Sequence, residues 1–168
     1  QRFNRIDPAR AGEQALINTH YTGYNFDQIQ GGIHYVIDVS KAVGQRITTL
    51  TWQGKPVTPD QPFIVVTNNY RASGGGHFPG LDGNNIVLAA PDGTREILAQ
   101  WLERQKTIGI KNLEPTSWQF APLKTRGPVV FAGASGKQGV AHDAGLDNIR
   151  QLKDHGDGTA TYAIDLSR

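Results

Sequence analysis

The run Asn68-Asn69-Tyr70-Arg71-Ala72-Ser73-Gly74-Gly75-Gly76-His77-Phe78 gathers the side chains best suited to hold a ligand. Two amides, a flat aromatic ring and a guanidinium stand at the end of an apolar segment. Together they offer stacking and edge hydrogen bonds, which is what a planar polar ligand requires. Three successive glycines permit positive φ angles and a close approach of the backbone to a ligand. The same glycines would equally serve a tight surface turn. The candidate ligand-binding residues are therefore Tyr70, Asn68, Asn69, Arg71, Gly74 and Gly75.

Other chemistry fails on residue type or spacing. Gly133-Ala134-Ser135-Gly136-Lys137 is followed by Gln138 where a phosphate-binding loop needs Ser or Thr, and Phe131 stands where its first glycine belongs. His20, His34, His77, His142 and His155 are scattered, with no HExxH pattern and no carboxylate cluster for a two-metal site. His142, beside Asp143, reads as a solvated loop residue. No Gly-x-Ser-x-Gly elbow is present, and without cysteine there is no thiolate nucleophile or disulfide. No catalytic residue, metal ligand or cofactor site is assigned to this chain.

The candidate loop needs a framework. Residues 33–39 alternate and are β-branched, which predicts a strand with Ile33, Tyr35, Ile37 and Val39 on one face. Residues 46–52 predict a second strand, and Gln53-Gly54-Lys55-Pro56 turns the chain. Residues 63–68 form a nearly unbroken apolar run that suits a strand buried on both faces and delivers the chain into the glycine loop. Residues 86–90 predict another short strand. A helix follows, capped by Thr94 or Asp92, with Ile97, Leu98, Trp101 and Leu102 on one face and cations near its end. Further strands are expected at 117–122, 129–132 and 159–166, with a short helix at 146–152. Trp52, Trp101 and Trp118 are expected to pack in these elements. The pattern predicts an α+β fold, mixed β-sheets with flanking helices, in a single domain over residues 1–168.

Lys and Arg total 17 and Asp and Glu 15 in 168 residues, a net charge of +2. The charges are interleaved from Arg2 to Arg168, which excludes an electrostatic nucleic-acid binder. No apolar stretch reaches the ~20 residues of a membrane-crossing helix, so no membrane insertion is expected. The chain opens with Gln1-Arg2-Phe3 and contains no Met. It reads as a fragment of a longer protein.

Three blocks then carry a resemblance: Tyr24-Asn25-Phe26-Asp27, Leu50-Thr51-Trp52-Gln53-Gly54-Lys55-Pro56, and Thr67-Asn68-Asn69-Tyr70-Arg71-Ala72 through Gly74-Gly75. With Ile6-Asp7-Pro8, Gln14-Ala15-Leu16-Ile17-Asn18 and the ending Ile164-Asp165-Leu166-Ser167, the chain resembles the C-terminal part of the bacterial 2′,3′-cyclic-nucleotide 2′-phosphodiesterase/3′-nucleotidase family. The resemblance implies the later part of a four-layer α/β/β/α domain shared with 5′-nucleotidases. It implies a nucleotide or nucleoside as ligand, and an N-terminal metallophosphoesterase domain of the same polypeptide as partner. Two divalent metal ions are implied in that other domain and none in this fragment. A periplasmic or exported location and a role in nucleotide scavenging are implied too. In that family the base lies between two aromatic rings, and Tyr70 stands where one belongs; the second ring and the gripping arginines are expected before Gln1. Related 5′-nucleotidases carry Asp directly after the paired glycines, where this loop has Gly76 and offers no carboxylate. A different class also fits the loop, a non-enzymatic binding module for purines or other planar ligands. An upstream segment rich in Asp, His and Asn ligands separates the two.

Overall fold

A computed structural model of the chain describes residues 1–22, 28–105, 107–109 and 116–168. In chain order its elements are β1 (Gln14–Ala15), β2 (Ile33–Ile37), β3 (Ile47–Trp52), β4 (Lys55–Pro56), α1 (Asn69–Ala72), α2 (Thr94–Gln105), β5 (Trp118–Phe120), β6 (Val129–Ala134), α3 (Gln138–Asp143), β7 (Ile149–Asp154) and β8 (Thr159–Ile164). They fall into two units. Gln1–Val57 with Thr116–Arg168 forms the first, and Thr58–Pro115 the second.

The first unit holds two mixed four-stranded sheets. One has the order β4-β3-β2-β5. Its hairpin pairs Ile33 with Trp52 and Tyr35 with Leu50. Gln53 and Gly54 both take positive φ, 49° and 77°, between the paired residues Trp52 and Lys55. That two-residue left-handed turn matches the twist of the strands it joins. On the other side β2 pairs in parallel with β5. The second sheet has the order β1-β6-β8-β7. Here β1 runs parallel to β6, while β6 and β7 both pair antiparallel with β8. The Tyr162 hydroxyl on β8 donates to the Ala134 carbonyl at 2.6 Å and accepts from the Lys137 amide at 3.0 Å. A buried phenol needs such partners, and these fasten β8 to the end of β6.

Residues from both sheets close one core. Ile6, Leu16, Ile37, Val39, Val129 and Leu166 are buried together, flanked by a ring cluster in which Phe3, Trp118 and Phe120 meet at centroid distances of 5.1–6.0 Å. Fully burying each large aliphatic side chain contributes about 1.5–3 kcal/mol. The first residues of the chain are sewn in by backbone bonds, the Asn4 amide to the Leu16 carbonyl and the Ile6 amide to the Val39 carbonyl. Arg46 adds a side-chain bolt. It is only 8% exposed, and its guanidinium donates to the Phe3 carbonyl at 2.6 Å and the Lys41 carbonyl at 3.0 Å.

The α+β reading holds, as two mixed sheets with a few short helices. Strands form within the spans expected at 33–39, 46–52, 117–122 and 159–166, and at 129–132, where β6 runs two residues further. The apolar face of the helix at Thr94 is also present, although Gly93 stands at its cap: the Gly93 carbonyl accepts from the Ile97 amide. Three expectations are corrected. Residues 63–68 and 86–90 are not strands, and Val66, Val87 and Leu88 are 95%, 80% and 82% exposed. A strand exists only where a neighbour completes its ladder, and among the described residues Thr58–Pro115 contains no strand. Residues 146–152 are not a helix. The helix lies earlier, at Gln138–Asp143, and Gly145 (φ 76°) ends it, with the Gly145 amide bonded to the His142 carbonyl and the Leu146 amide to the Ala141 carbonyl. That glycine stop hands the chain on to β7. Tyr24, Asn25, Phe26 and Asp27 lie outside the described residues. No helix among the described residues is long and apolar enough to cross a membrane.

Arg46 gives a direct test of how the opening residues are held. Replacing it with Met takes the donor from the Phe3 carbonyl, in a part-buried bond, and from the Lys41 carbonyl, at a cost of about 1–3 kcal/mol. Urea denaturation followed by tryptophan fluorescence should show that loss. Arg46→Lys, which can reach one carbonyl, should fall between Arg46→Met and the parent chain; a midpoint unmoved by Arg46→Met would dismiss the bolt.

Candidate functional site

Asn68 starts the candidate loop by capping α1. Its backbone is extended (φ −83°, ψ 162°) and its side-chain oxygen accepts from the Arg71 amide at 2.8 Å. This is the usual way for Asn to satisfy a donor that a helix start leaves open. Asn69 turns its own oxygen to the Tyr70 amide at 2.9 Å. For both residues the carbonyl end of the amide is occupied by the turn, so the NH₂ end is what each can offer a ligand.

The helix is four residues long and stops by a paired glycine device. The Gly74 amide donates to the Arg71 carbonyl at 3.1 Å and the Gly75 amide to the Tyr70 carbonyl at 2.8 Å, with Gly74 at φ 98°. These two bonds, with a left-handed residue between helix and exit, are the Schellman closure. Its geometry explains the second glycine as well. A β-carbon on Gly75 would collide with the Tyr70 carbonyl oxygen and lie 2.6 Å from both Cδ1 and Cδ2 of the ring. Being equidistant from the two Cδ atoms, it would sit over the face of the ring. Gly75 thus backs the tyrosine with bare backbone, while Tyr70 as a residue stays 58% exposed.

Gly76 (φ 79°) and His77 (φ 53°) continue the left-handed path. Arg71 folds back along it: its guanidinium carbon is 5.4 Å from the Tyr70 ring centre and 4.7 Å from that of Phe78, and Nη1 is 3.5 Å from the Gly75 carbonyl. The returning chain lies close to Gly74, where a β-carbon would stand 3.3 Å from the Leu81 carbonyl. There Asp82 accepts from the Asn84 amide and side chain at 3.0 and 2.9 Å, and these bonds to its charged form hold its carboxyl below the usual carboxylate range.

The structure therefore brings Asn68, Asn69, Tyr70, Arg71, Gly74 and Gly75 into one turn, each with a definite local duty. Phe78, part of the candidate run but not among the expected ligand contacts, meets the Arg71 guanidinium. His142 is solvated but lies in α3, not in a loop, and its partner is Asp147, not Asp143; both side chains are well exposed. Among the described residues no group of three or more His, Cys, Asp or Glu side chains could hold a metal ion.

Comparison with known proteins bears on this turn directly. The family model for the 5′-nucleotidase C-terminal domain matches residues 9–83, which include all of α1 and its glycine exit. The chain belongs to the 5′-nucleotidase C-terminal domain family. The domain is 35% identical to the 2′,3′-cyclic-nucleotide 2′-phosphodiesterase/3′-nucleotidase of Salmonella typhimurium (strain LT2), over 99% of this chain and 28% of that protein. The Haemophilus influenzae (strain Rd) protein of the same name is 33% identical over the same shares. The trifunctional nucleotide phosphoesterase protein YfkN of Bacillus subtilis (strain 168) is 43% identical over 72% of this chain and 9% of its own length. No solved structure matches the chain. The chain spans little more than a quarter of the two phosphodiesterases it matches.

The close approach at Gly75 predicts an asymmetry between two Gly→Ala changes. Gly75→Ala must push the ring or the carbonyl aside, costing about 1–3 kcal/mol of local stability. Gly139→Ala, in open space on α3, should be neutral or slightly stabilising. Amide NMR spectra should show shifts across residues 69–78 for Gly75→Ala and only local shifts for Gly139→Ala. An unperturbed Tyr70 in Gly75→Ala would disprove the close packing.

Proposed function

We propose that this domain is the nucleoside-binding part of a metal-dependent 2′,3′-cyclic-nucleotide phosphodiesterase/3′-nucleotidase. One observation carries the reading. Tyr70 is held by a Schellman turn with Gly75 bare against its ring, and the residue remains 58% exposed. An exposed ring on a rigid turn is a stacking platform for a base, and stacking is worth about 1–3 kcal/mol per base. The NH₂ groups of Asn68 and Asn69 supply donors for the base edge, and Gly74 and Gly75 let a ligand approach the backbone. The relatives named above bear the names of nucleotide phosphoesterases, and Tyr70 lies inside the matched family segment.

The described residues do not fit a dinuclear metal centre. The two divalent ions and the hydrolytic step are assigned to a metallophosphoesterase domain of the same polypeptide. This chain contributes position: a base fixed at one end places the phosphate at the other, converting a diffusive encounter into an oriented one. A periplasmic or exported enzyme that scavenges nucleotides is the setting this reading favours.

The 168-residue chain alone should hydrolyse neither 2′,3′-cyclic nucleotides nor 3′-nucleotides when supplied with Mn²⁺, Co²⁺ or Zn²⁺. Turnover above a metal-only blank that survives repurification would overturn the division of labour.

In the intact enzyme, Tyr70→Phe should alter kcat/KM for a cyclic nucleotide only a few-fold. Tyr70→Ala should cost roughly 1–3 kcal/mol, about ten- to a hundredfold. Bis(p-nitrophenyl) phosphate, which has no base, should be far less affected by either change. Equal losses on both substrates, in a Tyr70→Ala protein of unchanged melting temperature, would remove Tyr70 from the base site.

A further inference from the structure

The stretch from Gly74 to His77 is an expensive piece of backbone to hold still. Three of its four residues take positive φ, at 98°, 79° and 53° for Gly74, Gly76 and His77. Three of the four are glycines, which lose the most conformational freedom on ordering. Gly75 has no side chain to anchor it, yet it must stay against the Tyr70 ring. One side chain spans the problem. Arg71 leaves α1 one residue after Tyr70 and reaches past the glycines: its guanidinium lies 4.7 Å from the centre of the Phe78 ring, 5.4 Å from that of Tyr70, and 3.5 Å from the Gly75 carbonyl through Nη1. A planar guanidinium can meet an aromatic face and a carbonyl in its own plane together, which a lysine ammonium does less well.

We propose that Arg71 is a positioning residue, which with Phe78 straps the glycine loop down so that Gly75 stays against the Tyr70 ring and the platform keeps its orientation. The proposal deepens the nucleoside-binding reading and rests on it for its functional consequence. It differs from a role for Arg71 as a direct grip on the ligand's phosphate. A strap acts before any ligand arrives and affects charged and uncharged ligands alike. A phosphate contact acts only on charged ones. Phe78 thereby gains a function through Arg71, without touching the ligand.

The test has one arm without ligand and one with it. Amide exchange of Gly75, whose N–H donates to the Tyr70 carbonyl, is measured in Arg71→Gln, Phe78→Leu, the double variant and Phe78→Tyr. A cation–π contact at an exposed site is worth about 0.5–1 kcal/mol. Each of the first two variants should therefore exchange about two- to fivefold faster than the parent chain. The double variant should exchange no faster than the weaker single, because both changes break the same contact, and Phe78→Tyr should restore the parent rate. In the second arm, adenosine and adenosine 3′-monophosphate are titrated into the parent chain and Arg71→Gln, following the Tyr70 resonances. Both ligands should weaken by the same factor. Unchanged exchange in both single variants overturns the strap, as does a loss confined to the monophosphate, which would make Arg71 a ligand contact. If exchange rises as expected but neither ligand moves Tyr70 in the parent chain, the strap stands as a feature of the turn, and equal losses on both substrates for Tyr70→Ala in the intact enzyme are what would sink the nucleoside-binding reading.

Discussion

The amide of Gly75 donates to the carbonyl of Tyr70 across a closure so tight that a β-carbon there would strike both that carbonyl and the tyrosine ring. Every other feature of the candidate site follows from this contact. It requires glycine at 75, and it requires Gly74 to turn left-handed so that the chain can reach it. It sets bare backbone against the aromatic ring, with the Arg71 guanidinium 5.4 Å from the ring centre, and Tyr70 remains 58% exposed. Asn68 and Asn69 support it from the front by satisfying the amides at the start of the turn, and Arg71 with Phe78 spans it from behind.

The sheets of the first unit form a different kind of structure. Their stability resides in a shared aliphatic core and an aromatic cluster, reinforced at the chain's opening by the buried guanidinium of Arg46. Its bonds to the Phe3 and Lys41 carbonyls are part-buried, and removing the guanidinium leaves both carbonyls without that donor. The second unit, Thr58–Pro115, contains no strand among its described residues and is organised instead by capped helices and glycine turns. Its order is local, and local order of this type depends on single residues: one cap, one left-handed glycine, one arginine.

On the proposed function, this domain has an auxiliary part in catalysis. Positioning needs a rigid feature that recognises the part of the substrate that does not react, and it needs no titrating or metal-binding group of its own. The described residues have that profile, a fixed aromatic turn and no cluster of metal-ligating side chains. The relatives' names place such chains within nucleotide phosphoesterases several times longer than this one.

Much of the first unit was legible residue by residue. Alternation in Ile33, Tyr35 and Ile37 marks β2 and the Gln53-Gly54 turn marks the end of β3, since side-chain period and left-handed turn chemistry are local properties. That the glycines after Ser73 turn the chain was legible for the same reason. Residues 63–68 and 86–90 have the composition of strands but not their structure, because a ladder requires a second chain segment that composition cannot supply. The stretch 146–152 has helix-like apolar spacing, but from Ile149 it is β7, because β8 supplies the ladder partner that spacing cannot reveal. Residue types alone marked 68–75 as a candidate turn for a planar ligand and offered no phosphate loop, HExxH pattern or nucleophile elbow. Only the tertiary structure decided that Gly75 backs the ring, that Arg71 lies against Phe78, and that both asparagine oxygens serve the turn. Those assignments depend on where a backbone of left-handed residues carries its side chains, which is a property of three-dimensional closure and not of spacing.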